Sequence, residues 1–248
     1  MRAISSSEHI PVPSSDFELR MPAIADAPGV HTTALAGERV ELLAERAMHW
    51  PATATLFVAD VHLGKAAAFR AGGVPLPRGS TGADLDRLSG LIARTGARRL
   101  VILGDFLHAA TGRVTALDRA FAAWRELHTG LELLLVRGNH DDRAGDPPGH
   151  WNVPVVDEPY ALAPFLACHL PVSPQSGYAL CGHVHPGVWL TGPAEQRERL
   201  PCFVLGTRRA ILPAFGSFTG LATAAHTRGD RVVAIAATRL FALPARSH

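Results

Sequence analysis

The chain has 248 residues, 47% hydrophobic and 19% charged, with a net charge of +2. That composition excludes a disordered polymer and allows one sizeable core, while the mild charge permits a nucleic-acid partner without requiring one. No apolar run reaches the length of a membrane span, and the amino terminus lacks the apolar core of a secretory signal. Three widely spaced cysteines, Cys168, Cys181 and Cys202, argue against a disulfide framework and fit a reducing cytoplasm.

Residues 1–36 are rich in Ser, Pro and Ala without a sustained period of 2 or 3.6. They read as a flexible leader or arm, leaving residues 37–248 as a single domain. Apolar stretches from Arg39 to Leu43 and from Thr53 to Ala59 predict two strands, the second ending in Asp60. Gly64 to Gly79 reads as loop, with a short helix over Ala66–Arg70. Leu85, Leu88, Leu91 and Ile92 share a helical face and predict a helix over Ser80–Arg94, which Gly96 ends. A strand over Arg99–Leu103 runs into Gly104-Asp105. Leu117, Phe121, Trp124 and Leu127 then predict a helix over Val114–His128, and Leu131–Val136 a strand running into Gly138-Asn139-His140-Asp141. This alternation is that of an α/β layered core. Beyond residue 150, short pieces at Trp151–Val156, Phe165–Cys168, Tyr178–Cys181, Cys202–Leu205 and Arg231–Ala236 predict a second, more antiparallel sheet packed on the first.

Thirteen histidines are many for this length. Several stand in polar clusters, each at the carboxyl end of a predicted strand: Asp60-Val-His62, Gly104-Asp105, Gly138-Asn139-His140-Asp141, Cys168-His169 and Gly182-His183-Val-His185. The carboxyl ends of strands form the ligand-binding edge of layered α/β folds, so these clusters are expected to converge. Oxygen donors (Asp60, Asp105, Asn139) mixed with imidazoles (His62, His169, His183, His185) suit Mn, Fe or Zn better than Ca or Mg. Asp105, after the central strand, is the natural bridge between two cations. Other polar and aromatic residues have ordinary readings. His108 lines the cleft or, more simply, supports a ligand from behind or lies at the surface, His49, His128, His150 and His226 are surface histidines, Cys168 and Cys181 are small buried residues, and Phe215 and Phe218 serve packing. Lys65 is the only lysine. With Arg70 it lies in the loop after the first cluster, where either could meet a substrate phosphate or simply be solvated.

The ordered set Asp-X-His, Gly-Asp, Gly-Asn-His-Asp, His and Gly-His-X-His resembles the calcineurin-like metallophosphoesterase superfamily over residues 60–185. Asp60-Val-His-Leu-Gly-Lys65, Phe69-Arg70, Gly104-Asp-Phe-Leu-His108 and Leu212-Pro-Ala-Phe-Gly216 narrow the resemblance. They are similar to the small bacterial phosphoesterases associated with a DNA ligase and a DEXH helicase. The resemblance implies a four-layer αββα sandwich of two mixed sheets flanked by helices, and a binuclear phosphodiesterase acting on nucleic acid ends in DNA repair. Asp60, His62, Asp105 and His185 would hold one metal, most simply Mn, and Asp105, Asn139, His169 and His183 the other. His140 would lie over the phosphate, with Asp141 orienting its ring. Partners implied are nucleic acid or a small phosphodiester, a DNA ligase, a DEXH helicase and a second copy of the chain. A hydrolase of small phosphoesters or nucleotides and a non-catalytic metal-binding scaffold are the competing readings.

Overall fold

Two mixed sheets stacked face to face carry the fold, in a computed structural model that describes residues 27–77, 79–191, 197–223, 227 and 229–244. In the first sheet β1 (Val30–Leu35), β2 (Glu38–Leu43), β3 (Ala47–Trp50) and β4 (Thr55–Val58) run antiparallel in sequence order. From β4 the sheet continues in parallel through β5 (Arg99–Leu103), β6 (Glu132–Val136) and β7 (Val155–Val156). Parallel neighbours need crossover connections. Here α2 (Ser80–Thr95) provides the first, preceded by the short α1 (Lys65–Ala71), and α3 (Thr115–Leu127) provides the second. The apolar stripes read in the sequence explain the docking: Leu85, Leu88 and Leu91 of α2 and Leu117, Phe121 and Trp124 of α3 join one core with Leu56, Leu100, Ile102 and Leu133. The intervening strand residues Phe57, Val101, Leu103 and Val136 face the other way, into the core between the sheets. β4, β5 and β6 are thus apolar on both faces, as covered parallel strands must be.

The second sheet holds β8 (Tyr160–Leu162), β9 (Phe165–Ala167), β10 (Tyr178–Cys181), β11 (Pro186–Thr191), β12 (Arg197–Leu205), β13 (Arg209–Ile211), β14 (Ala222–Thr223), β15 (Arg231–Ala236) and β16 (Arg239–Ala242). Its order is β14-β11-β12-β13-β10-β9-β8, with β15 also on β12 and β16 on β15. The pair β9–β10 is parallel, so both deliver their carboxyl ends to one edge. Phe165, Tyr178, Leu180, Phe203 and Val233 fill the inter-sheet core. The alternate residues Cys168, Cys181, Cys202, Val204 and Ile211 line the outer face. The three cysteines are free and buried. The last α-helix among the described residues is α4 (Asn139–Ala144), so the helical layer lies on the first sheet. No helix of the described residues is long and apolar enough to cross a membrane.

Three expectations change. The sheet begins at Val30 and not after residue 36: among the described residues β1 is an edge strand paired along its length with β2, which lets its polar His31, Thr32 and Thr33 stay partly exposed. Residues 1–26 of the expected leader lie outside the described residues. β3, unread in the sequence, is a buried strand whose His49 is not a surface residue: its Nδ1 pairs with Glu41 Oε2 at 2.9 Å. His128 and His150 sit at or near the surface on Ser89 and Asp118, and His226 lies outside the described residues.

Candidate metal centre

Five strand ends converge. Asp60 and His62 follow β4, Asp105 follows β5, Asn139 and His140 follow β6, His169 follows β9, and His183 and His185 follow β10. Past the strands, the β4 and β5 loops stay zipped together. Asp60 N–H donates to Gly104 O, His62 N–H to Asp105 O and Leu63 N–H to Phe106 O, at 3.2, 2.9 and 2.8 Å. On the other flank Gly216 N–H donates to Asp60 O at 3.1 Å, and a Cβ on Gly216 would stand 2.2 Å from Val61 O. The Leu212–Gly216 motif is thereby the wall of the first ligand loop.

The backbone bends hard at these residues. Eleven described non-glycine residues have positive φ, and Asp60, His62, Asp105, His183 and His185 are five of them, at 50–69°. Each such residue costs on the order of 1–3 kcal/mol and persists only where its surroundings enforce it. Two glycines make the convergence possible by close approach. A Cβ on Gly104 would lie 2.1 Å from His169 Nδ1, and one on Gly138 2.4 Å from Asp105 Oδ1.

The expected ligands fall into two groups, and His62 also forms a third with His108 and His140. Asp60, His62 and His185 have ligand atoms within 4.8 Å of one another, as do Asp105, His169 and His183. His62 Nε2 and His185 Nε2 approach to 3.3 Å, and His183 Nδ1 lies 3.0 Å from His169 Nε2, which is also 3.0 Å from Asn139 Oδ1. Asp105 stands between the groups: Oδ1 is 3.4 Å from His169 Nε2, and Oδ2 is 3.9 Å from His62 Nε2. His169 and His185 each donate Nδ1–H to a backbone carbonyl, of Leu103 and Gly220, at 3.1 and 3.2 Å. That fixes the tautomer and turns the Nε2 lone pair toward the cluster, the usual support for a metal-bound imidazole.

The charges fit a divalent metal. Asp60 and Asp105 are buried and their ion-pair contacts are all with imidazoles. Burial pushes His62 down to about 2, with Lys65 and the neighbouring histidines adding to it, and burial and His169 lower His183. Two buried carboxylates need positive charge beside them, which divalent cations would supply, and such ions take this mixed oxygen–nitrogen donor set.

The remaining predicted residues divide. Lys65 opens α1 beside the cluster: burial lowers its pKa, and Asp105 and Asp60 push it back up. Arg70 turns away, its Nη1 donating to the carbonyls of Leu76 and Pro77 at 3.3 and 3.1 Å, so it braces the loop. His140 is partly buried with Nε2 4.0 Å from Asp105 Oδ2. Its ring is not oriented by Asp141, contrary to the expectation. Its Nδ1–H donates to His108 O at 2.7 Å, and the His108 ring stacks on it at 5.0 Å. Asp141 is fully buried and accepts the N–H groups of Leu107, Gly138 and Phe106 at 2.9, 3.0 and 3.3 Å. Its partners belong to the backbone because the first turn of α4 points its side chain back under the β5 loop.

One support was among the expectations and another was not. Of the cleft, supporting and surface readings of His108, the supporting one matches: Phe69, His108 and His140 form a continuous stack. Glu158 Oε2 accepts the N–H groups of His169 and Leu170 at 2.6 and 2.9 Å, and no local motif announces it. Phe215 is buried under the Arg87 guanidinium, as packing predicts, while Phe218 is half exposed. A concavity of about 450 Å³ lies at the opposite, amino ends of β5 and β6, and none of the clustered residues lines it.

No protein-family model matches the chain, and no curated protein matches it. Among solved structures, the nuclease MPE of Pseudomonas putida is 41% identical and superposes with a TM-score of 0.77, covering 86% of this chain and 100% of its own. The YfcE phosphoesterase of E. coli is 19% identical over 75% of this chain and 90% of its own, with a TM-score of 0.36.

Proposed function

This chain belongs to the metallophosphoesterase family, and we propose that it is a two-metal phosphodiesterase cleaving nucleic acid near strand ends. The observation that carries the reading is the Asp105 carboxylate, which turns one oxygen to each of two imidazole groups. In the proposed assignment Asp60, His62, Asp105 and His185 hold one divalent ion, and Asp105, Asn139, His169 and His183 hold the other. Manganese is the proposed metal, on the mixed donor set. Such ions, when bound, neutralise the non-bridging oxygens of a phosphodiester and acidify water toward neutral pH.

The chain's own residues supply the rest. His140 keeps its Nδ1 proton on His108 O, so Nε2 faces the cluster and, when protonated, gives its proton to the leaving oxygen. Lys65 stands where an ammonium meets a non-bridging oxygen. Asp141 acts on geometry alone, by tying the β5 and β6 loops together. The proposed setting, from the resemblance read in the sequence, is cytoplasmic DNA repair beside a DNA ligase and a DEXH helicase, with the chain as a homodimer.

The test is parallel incubation with Mn²⁺ and an aryl phosphodiester, an aryl phosphomonoester, and end-labelled single- and double-stranded DNA. Hydrolysis of the diester and trimming of DNA are expected, with both lost on exhaustive chelation and restored by Mn²⁺ ahead of Ca²⁺. Full activity after metal removal would sink the reading. A hydrolase of small phosphoesters is the alternative that the net charge of +2 favours, and diester turnover without DNA cleavage would establish it. His140→Ala should lower kcat by about 10²–10⁴-fold with unchanged metal content. Wild-type turnover in that variant would remove His140 from the chemistry.

A further inference from the structure

Away from the clustered histidines, one exposed aromatic ring among the described residues is set among cations. Trp189 of β11 is 48% exposed, whereas Trp50, Trp124 and Trp151 are buried. Arg199 is its direct cross-strand partner on β12 and Arg197 lies two pairs further along, opposite Thr191, with guanidinium carbons 5.7 and 5.4 Å from the ring. Arg199 is held in place by Nη2 donating to Thr223 Oγ1 at 2.9 Å. Strand alternation puts Trp189, Arg197 and Arg199 on one face, while Val188, Leu190 and Leu200 pack into the outer core of the second sheet. Glu198 pairs with Leu190 and so belongs to the opposite face, which leaves no carboxylate between the two arginines.

The ring is half exposed. Both cations approach from β12, and β14 pairs with β11 only as far as Thr223 opposite Gly187. Among the described residues no strand flanks Trp189 there. A ring serving packing would be covered, and two arginines serving solubility would not gather at an indole. The position matters as much. β11 starts at Pro186, next to His185, whose carbonyl accepts Ala222 N–H at 2.9 Å. Four strand residues from His185 to Trp189 span about 13 Å, so the platform continues the metal cluster.

We propose that the β11–β12 face is a subsite for single-stranded nucleic acid, with a base stacked on Trp189 and Arg197 and Arg199 on flanking phosphates. It rests on the phosphodiesterase reading above and names the substrate feature that the reading leaves open. An exposed indole accepts any unpaired base, guanidinium groups meet the polyanionic backbone, and a duplex keeps its bases stacked within.

Binding tests it independently of turnover. Titration of the full-length chain with a cleavage-resistant single-stranded phosphorothioate oligonucleotide should quench the long-wavelength tryptophan emission, which comes from Trp189. By anisotropy of a labelled strand, Trp189→Ala should weaken binding about tenfold and Trp189→Phe far less. Arg197→Ala with Arg199→Ala should flatten the dependence of affinity on salt. The ratio of kcat/KM for oligonucleotide to that for aryl diester should fall about tenfold in Trp189→Ala, for DNA and RNA strands alike. Unquenched emission at saturation, wild-type affinity in Trp189→Ala, or preference for the duplex would overturn the subsite. Quenching without diester hydrolysis would defeat the phosphodiesterase reading alone, and hydrolysis without quenching the subsite alone.

Discussion

Asp105→Asn should lower kcat/KM on an aryl phosphodiester by at least about a thousandfold, a loss of about 4 kcal/mol of transition-state stabilisation. Asn is nearly the same shape and can still accept the His140 N–H bond, which reaches Asp105 Oδ1 at 2.8 Å. What it lacks is the second anionic oxygen, since an amide nitrogen would stand where one group of imidazoles faces a carboxylate. Metal analysis should show the loss directly, with one ion or fewer per chain. The metal-free variant should unfold no more easily than the metal-free parent, because it removes a buried charge whose ion-pair contacts are imidazoles. Metal should raise the unfolding temperature of the parent and hardly that of the variant. Retained turnover with two bound ions would end the bridging role. An unfolding temperature that falls with the activity would make the defect structural.

Which of these features could be read from the sequence follows from how local their causes are. β4, β5 and β6 announce themselves because both faces are buried, and each runs straight into its polar cluster. The helical stripes of α2 and α3 were equally plain. Convergence of the clusters also followed, since parallel strands put their carboxyl ends on one edge. β1 escaped because an edge strand can stay polar, and β3 because Ala47–Trp50 is buried without alternation. β14, two residues long, exists only through its pairing with β11.

The polar supports were illegible for the same reason. Glu158 serves His169 from eleven residues away, and Arg70 spends its guanidinium on carbonyls of its own loop. Asp141 misled because adjacency to His140 suggests a side-chain pair, whereas its partners include N–H groups 34 and 35 residues earlier. The backbone strain at Asp60, His62, Asp105, His183 and His185 falls on Asp and His, the types that tolerate positive φ, but no local turn motif announces it. Local rules fail where a site imposes its own geometry.

Asp141 carries the largest expected effect on stability. Its Oδ1 accepts Leu107 N–H, and its Oδ2 accepts those of Gly138 and Phe106, all in a fully buried position. Burial pushes the carboxyl above its ordinary value, and these three N–H groups pull it partly back. Asp141→Ala would leave three main-chain donors facing a void and should destabilise the chain by about 3–5 kcal/mol in urea unfolding. Asp141→Asn keeps one acceptor but turns an NH₂ toward a donor, for a loss of about 1–3 kcal/mol. Both should also slow turnover, because the same bonds tie the loop carrying Asp105 to the loop carrying Asn139 and His140. The two effects separate by condition: at low temperature and saturating metal, kcat should stay depressed although the variant is fully folded. A variant that recovers wild-type kcat once folded would show that Asp141 only holds the fold. Stability within about 1 kcal/mol of the parent would mean that water replaces the carboxylate at all three donors.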